Sequence, residues 1–271
     1  MMNAKTTMAA AADIRKLTIT AMEAAGYGHI GGSMSLCDLL AVLYTDIMNV
    51  DPAEPKKLGR DWLVLSKGHC GPALYAALAH KGFFPVEQLK TLNANGTKLP
   101  SHCDRLKTPG VDISTGSLGQ GVSLATGVAM GIGMQGFGGR VYVIVGDGEL
   151  QEGQNWEAFQ FIAHRAPKNL VIIVDANKRQ LDGYTKDVCE PFDLKAKFEA
   201  FGLSAIDVDG HDVRAIYDAL QNPPQVLILD TEKGHGCNFA EIDGFNHYMV
   251  ITPEMAASAR DEIDRRLEAS I

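Results

Sequence analysis

Apolar residues fall along this chain in two alternating rhythms. Val141–Val145 and Leu170–Val174 are short, unbroken, β-branched runs, the pattern of strands buried on both faces. Asp61–Ser66, Leu203–Val208 and Gln225–Asp230 share that character. Between them, apolar positions recur every three to four residues, as on one face of a helix. Ile14, Leu17, Ala21, Met22 and Ala25 form one such set, and Leu36, Leu39, Leu40, Leu43 and Ile47 a second, with Ser35 placed to cap it. Ala73 to Leu78, Trp156 to Ala163 and Val213 to Leu220 follow the same spacing. A small-residue helix over roughly 121–134 and a last one from Met255 to Leu267 complete the set. Strands alternating with helices predict an α/β fold, a parallel sheet with helices on both faces. No repeat, linker or low-complexity tract interrupts the pattern, so residues 1–271 are expected to form a single domain.

Three stretches break the rhythm. Gly26-Tyr27-Gly28-His29-Ile30-Gly31-Gly32 reads as a loop too rich in glycine to be helical. Asn93 to Gly121 is rich in Gly, Pro, Asn, Ser and Thr, and so long a loop is more often functional than idle. Lys233 to Tyr248 carries His235 and His247. Gly131-Ile132-Gly133-Met134-Gln135-Gly136 spells a dinucleotide fingerprint, but it ends a helix instead of following a strand, so no nicotinamide site is expected there.

Chemistry concentrates where strands end. Gly146-Asp147-Gly148-Glu149 closes one strand and opens a helix, and Asp175-Ala176-Asn177 closes the next. Ligands of parallel sheets bind at the carboxyl edge, and the flanking glycines let backbone approach a large anion. An acid and an amide delivered there offer hard oxygen ligands to Mg²⁺, with diphosphate oxygens completing the octahedron. Composition changes this picture little. At 271 residues, 46% apolar, 21% charged and net −8, the chain reads as globular and without nucleic acid as a partner. Its five cysteines are scattered without paired spacing, which predicts a reducing compartment and no disulfide or zinc site. Met1–Ala12 lacks a signal-peptide layout, and Val122–Met134 is too short to span a membrane; a cytoplasmic location without membrane contact is expected.

Gly28-His29, Ser66-Lys67-Gly68-His69, Ser101-His102, the run Ser114 to Gly121 and the run Gly146 to Gly153 stand in one order. In that order and spacing they resemble the N-terminal, thiamine-diphosphate-binding domain of transketolase, over about residues 13–250. The family motif usually ends Asn-Asn; here Ala176 replaces the first. The resemblance implies Mg²⁺ ligands at Asp147 and Asn177 through their side chains and at Arg179 through its carbonyl. It places Leu181 against the thiazolium, Gly116, Ser117 and Leu118 near the aminopyrimidine, and Gly148 and Glu149 near the diphosphate. His69 and His102 would line the reacting carbon, and His29 and His247 would contact cofactor and substrate hydroxyls. His235 is the rival to His247, whose setting departs from the family's His-Gly ending.

The implied reaction moves a two-carbon ketol unit from a phosphate-type ketose donor to an aldose acceptor, so sugars or sugar phosphates are the expected substrates. Thiamine diphosphate supplies the carbanion and electron sink, and imidazoles exchange protons near neutral pH. The carboxylate that activates the cofactor comes, in the family, from a second domain that this chain does not show after Met255–Leu267. Glu152 matches a family glutamate that meets this carboxylate at the subunit interface. The resemblance is therefore to the N-terminal subunit of a split transketolase, inactive alone. Its expected partner is a C-terminal subunit carrying the pyrimidine-binding and C-terminal domains, in an α₂β₂ heterotetramer. Two alternatives stand beside this reading: the alpha subunit of a 2-oxoacid dehydrogenase, which gives no reason for three histidines, and a non-catalytic cofactor-binding module.

Overall fold

The computed structural model describes residues 2–242 and 244–270. Five strands form one parallel sheet: β1 (Trp62–Leu65), β2 (Val141–Gly146), β3 (Leu170–Ala176), β4 (Ala205–Asp209) and β5 (Val226–Asp230), in the order β1-β2-β3-β5-β4. All six residues of β2 are buried, which is why the run from Val141 shows no polar alternation. Side chains pointing one way, such as Tyr142, Ile144, Val171 and Ile173, join one core with helices α1 (Ala4–Ala25), α2 (Cys37–Val42), α3 (Gly71–Lys81), α7 (Val213–Gln221) and α8 (Pro253–Ser270). Val143, Val145, Ile172 and Val174 point the other way, into a second core with α4 (Gln120–Gln135), α5 (Gly153–Arg165) and α6 (Leu194–Ala200). Each fully buried aliphatic side chain contributes roughly 1.5–3 kcal/mol, so the two layers fix the strand order firmly.

The structure departs from the sequence pattern in places. Helix α1 starts at Ala4, well before Ile14, because the alanine-rich segment favours helix and Asn3 accepts a cap hydrogen bond from the Thr6 amide. Gly31 and Gly32 are helical after all, inside the turn Ile30–Met34, whose five residues are all buried. Tertiary packing overrides their poor propensity: a Cβ at Gly31 would sit 2.5 Å from the Asn246 carbonyl, so only glycine fits. Ser35 caps nothing. Its hydroxyl donates to the Asp175 carboxylate (2.7 Å), and α2 begins after Leu36. The apolar stretch 30–47 has the composition of a membrane span, yet 83% of it is buried inside this fold.

Strands β2 and β3 end in step, Gly146 beside Asp175. A separate two-residue antiparallel ladder, Tyr27–Gly28 with Met249–Val250, ties the segment after α1 to the segment before α8. These two pairings decide what meets at the carboxyl edge of the sheet.

Candidate cofactor and active site

Asp147 leaves the end of β2 buried, at 4% exposure. Its carboxylate accepts from the Gly148 amide (2.8 Å) and the Lys178 amide (2.6 Å), which aims it along the sheet edge. Burial, reinforced by Asp175, pushes its pKa up to about 7. Asn177, two residues past Asp175, donates to the Asp175 carboxylate (2.9 Å) and accepts from the Arg179 amide (3.2 Å). The Arg179 carbonyl accepts from the Lys233 ammonium at 3.4 Å. A buried carboxylate that holds its charge poorly, an amide oxygen and a carbonyl already facing a cation make a donor set that suits a hard divalent ion.

Asp175 is the hub beneath this edge. It accepts from Ser35, Thr231 (2.5 Å), Asn177 and the Lys67 ammonium, itself buried and also bonded to the Gly32 carbonyl (3.1 Å). Burial alone would neutralise both charges. Their mutual attraction overrides it, holding Asp175 below the usual carboxylate range and Lys67 above the usual lysine range. Glu149 is a second buried acid, but a staple: it accepts from Ser66 (2.5 Å), the Gly119 amide (2.8 Å) and the Gly146 amide (3.1 Å). Its side chain thus locks the 116–119 loop to the strand ends, and only its backbone is offered to a ligand.

Four histidines converge beside this edge. His29 lies 5.3 Å from His69, 5.7 Å from His102 and 5.3 Å from His247, centroid to centroid, and His69 lies 4.8 Å from His247. His29 and His247 meet because the Tyr27–Gly28 ladder aligns their segments, and Tyr248 packs edge-on against His29 at 4.9 Å. Lys233 contacts the His247 ring nitrogen at 3.2 Å. Burial, helped by neighbouring histidines and lysines, pushes His29 down to about 4, His247 to about 3 and His69 well below the imidazole range. These three rings are therefore neutral at pH 7, able both to donate and to accept. His102 is exposed and rests on Gly116, whose φ of +144° and missing Cβ (2.9 Å from the ring if present) both require glycine.

The remaining positions frame the edge. Leu181 sits at the tip of the hairpin pairing Arg179–Gln180 with Gly183–Tyr184, and it is 61% exposed. Ser117 is exposed and Leu118 half-buried. Gly148 lies so close to Gln180 that a Cβ would approach its side chain to 3.0 Å. Glu152 is exposed just before α5 and, among the described residues, makes no ion pair. His235 lies outside the cluster: it stacks on His211 at 3.6 Å beside Arg15, so His247 is the histidine brought to the site. The sequence pattern assigns no role to Lys67, Asp175 or Lys233. Their signals are modest: a lysine two before His69, an acid two before Asn177, and a lysine just past β5.

The family described as transketolase, thiamine diphosphate binding domain, matches residues 6–241. The chain belongs to that family. It is 46% identical over 258 residues to the 6-deoxy-6-sulfo-D-fructose transketolase subunit SqwG of Clostridium sp. (strain MSTE9), covering 93% of this chain and 94% of that one. It is 39% identical to an apulose-4-phosphate transketolase subunit of Actinobacillus succinogenes, covering 92% of each. The transketolase of Campylobacter jejuni superposes with a TM-score of 0.89 at 30% identity, over 97% of this chain but 43% of that one. The chain thus spans less than half of that transketolase, and likewise 42% of the human transketolase, with 34% identity over 270 residues. This transketolase-family chain carries a thiamine-diphosphate-binding domain and corresponds in extent to the two relatives that are themselves subunits.

Proposed function

We propose that this chain is the cofactor-binding subunit of a two-subunit transketolase that transfers a two-carbon ketol unit from a ketose to an aldose. The convergence of four histidines beside the Asp147–Asn177 edge carries the reading. Asp147, Asn177 and the Arg179 carbonyl would hold Mg²⁺, with Gly148 and Glu149 offering backbone to the diphosphate and Leu181 and Leu118 flanking the rings. Bound there, thiamine diphosphate supplies a carbanion and an electron sink. The protein's own part is positioning and proton handling. His29, His69 and His247, neutral at pH 7, donate to or accept from sugar hydroxyls, and Lys233 keeps positive charge where anionic oxygens gather. Decarboxylation of a 2-oxoacid needs no such set of imidazoles, which weighs against the dehydrogenase reading.

The partner would be a C-terminal subunit providing the pyrimidine-binding and C-terminal domains, joined in a heterotetramer. Supporting this are relatives that are themselves subunits and that the chain matches almost end to end. Exposed Leu181 and Glu152, which makes no ion pair among the described residues, are suited to face that partner. A cytoplasmic setting belongs to the same reading, since five free thiols suit a reducing compartment. The test is ketol transfer by the purified chain, saturated with thiamine diphosphate and Mg²⁺, with and without its partner subunit. Turnover is expected only from the pair. Full-rate transfer by the lone chain would overturn the split-subunit reading, and none by the pair with any ketose donor would overturn the activity.

A further inference from the structure

A cavity of about 660 Å³ lies away from the histidines, at the end of the sheet where β1 begins. Its more buried wall is apolar and aromatic, with Trp62, Phe83, Val111 and Ile132. Its exposed rim carries Lys56, Lys57 and Arg105, together with Phe137 at 52% exposure. The volume falls within the ordinary range of small-ligand sites, about 300–1,000 Å³.

The cavity is held open by a fixed frame. Arg60 lies over the Trp62 ring at 4.4 Å, bonds Asp112 at 2.5 Å and donates to the Asp61 carbonyl at 2.8 Å. Asp112 also accepts from the Leu63 amide (2.9 Å), pinning the 105–112 segment to the start of β1. Gly59, at φ +76°, lets the Phe137 carbonyl approach to where a Cβ would be 2.6 Å away, closing the opposite wall. Among the described residues the frame consumes the one acid that lines the cavity, Asp112. Lys56 and Lys57 make no ion pair among the described residues, and Arg105 only acts on Asp112 from a distance, so cations outnumber acids in this lining on a chain of net charge −8. A partly aromatic wall under a rim with more cations than acids is complementary to a ligand that joins a planar apolar body to an anionic group.

We propose that this cavity binds a nucleoside phosphate, with the base against the Phe137–Ile132 wall and the phosphate among Lys56, Lys57 and Arg105. The site is separate from the cofactor edge yet tied to it through one loop. The segment 104–114 that walls the cavity is closed at its neck by the Thr115 amide bonding the Cys103 carbonyl (3.1 Å), directly between His102 and Gly116.

The test is calorimetric titration of the full chain with AMP, GMP and inorganic phosphate, with and without saturating thiamine diphosphate and Mg²⁺. One nucleotide per chain is expected, bound at least tenfold more tightly than inorganic phosphate and equally well with cofactor present. The combined variant Lys56→Ala, Lys57→Ala, Arg105→Ala removes only exposed side chains and should weaken nucleotide binding at least tenfold, with a smaller salt dependence. Phe137→Ala should erase the advantage over inorganic phosphate. No saturable nucleotide binding, binding unchanged in the triple variant, or displacement by the cofactor would each overturn the proposal.

Discussion

His29 and His247 stand edge to face, ring centroids 5.3 Å apart, although almost the whole sheet separates them in sequence. A ladder of two residue pairs, Tyr27 with Val250 and Gly28 with Met249, sets that contact. So short a ladder contributes little by itself. It is anchored by what flanks it: Gly28 fits so closely over Met22 that a Cβ would lie 2.6 Å from it, and Ile251 is buried. The four-histidine cluster is thus a product of tertiary packing, with the two core layers holding its members in place.

Substituting Asp147→Ala should lower Mg²⁺-dependent thiamine-diphosphate affinity by at least on the order of 10², the upper cost of disturbing even an outer partner of a metal site. The fold should persist. Asp147 does not cap α5, which follows Glu152. Relief of a charge that burial disfavours offsets part of a loss of about 1–3 kcal/mol, incurred when the Gly148 and Lys178 amides lose their acceptor. Titration calorimetry with an accompanying melting curve decides: unchanged cofactor affinity would remove Asp147 from the metal site.

His69→Ala and His102→Ala should each lower kcat of the reconstituted pair by on the order of 10²–10⁴, as lost proton transfer does, with a much smaller change in cofactor affinity. His247→Ala should resemble them, and His235→Ala should not, since His235 packs against His211 and Arg15 instead. Equal losses for His235→Ala and His247→Ala would undo the distinction that the cluster draws between them.

What the sequence disclosed follows from how local its signals are. The strands through Val141–Val145 and Leu170–Val174 were legible because buried parallel strands need unbroken apolar runs, and the Asp147–Asn177 pair because both follow strand ends. Gly31 and Gly32 misled because helix propensity is a weak local preference that packing under Asn246 outweighs. Ser35 looked like a cap because capping is local, whereas its partner Asp175 lies across the fold. The roles of Lys67 and Asp175 were hidden for the same reason: a buried ion pair leaves no spacing rule in the chain. His235 and His247 shared one loop, and only the ladder at Met249 separates their fates.

Gly116→Ala tests the loop that supports His102. At φ +144° an alanine costs about 1–3 kcal/mol of backbone strain, and its Cβ would press on the imidazole. We expect a modest fall in melting temperature and a disproportionate fall in kcat, with the KM for donor changed less. A variant with native kcat would mean that His102 need not be held where Gly116 leaves it.

Acid should loosen the cofactor-free chain in a window set by its buried imidazoles. His29, pushed down to about 4, and His235 and His247, to about 3, owe their shifts first to burial. An unfolded histidine titrates near 6.5. Above that pH neither state holds the proton, so these groups contribute no pH dependence. Below it the unfolded chain binds protons that the folded chain refuses, and stability falls as pH drops from about 6.5 towards about 4. Asp147 works in the opposite direction. Its folded pKa, pushed up to about 7, means the folded state gains as it protonates between 7 and the ordinary aspartate value near 3.9. An Asp147→Asn background removes that opposing contribution, while Glu149 and Asp112, also raised by burial, oppose in the same direction and remain. Lys233, lowered to about 8, adds slope only above that pH, and Asp175, held low, only below the ordinary carboxylate range. Melting temperatures of the Asp147→Asn chain, taken from pH 7.5 to 4.5, should therefore decline with acid more steeply than those of the native chain. Replacing His29, His235 and His247 together by glutamine should make that decline shallower, with buried His69 keeping its own share, whatever it does to stability at pH 7.5. A slope unaltered by the triple replacement would mean that these imidazoles are not held neutral by the fold.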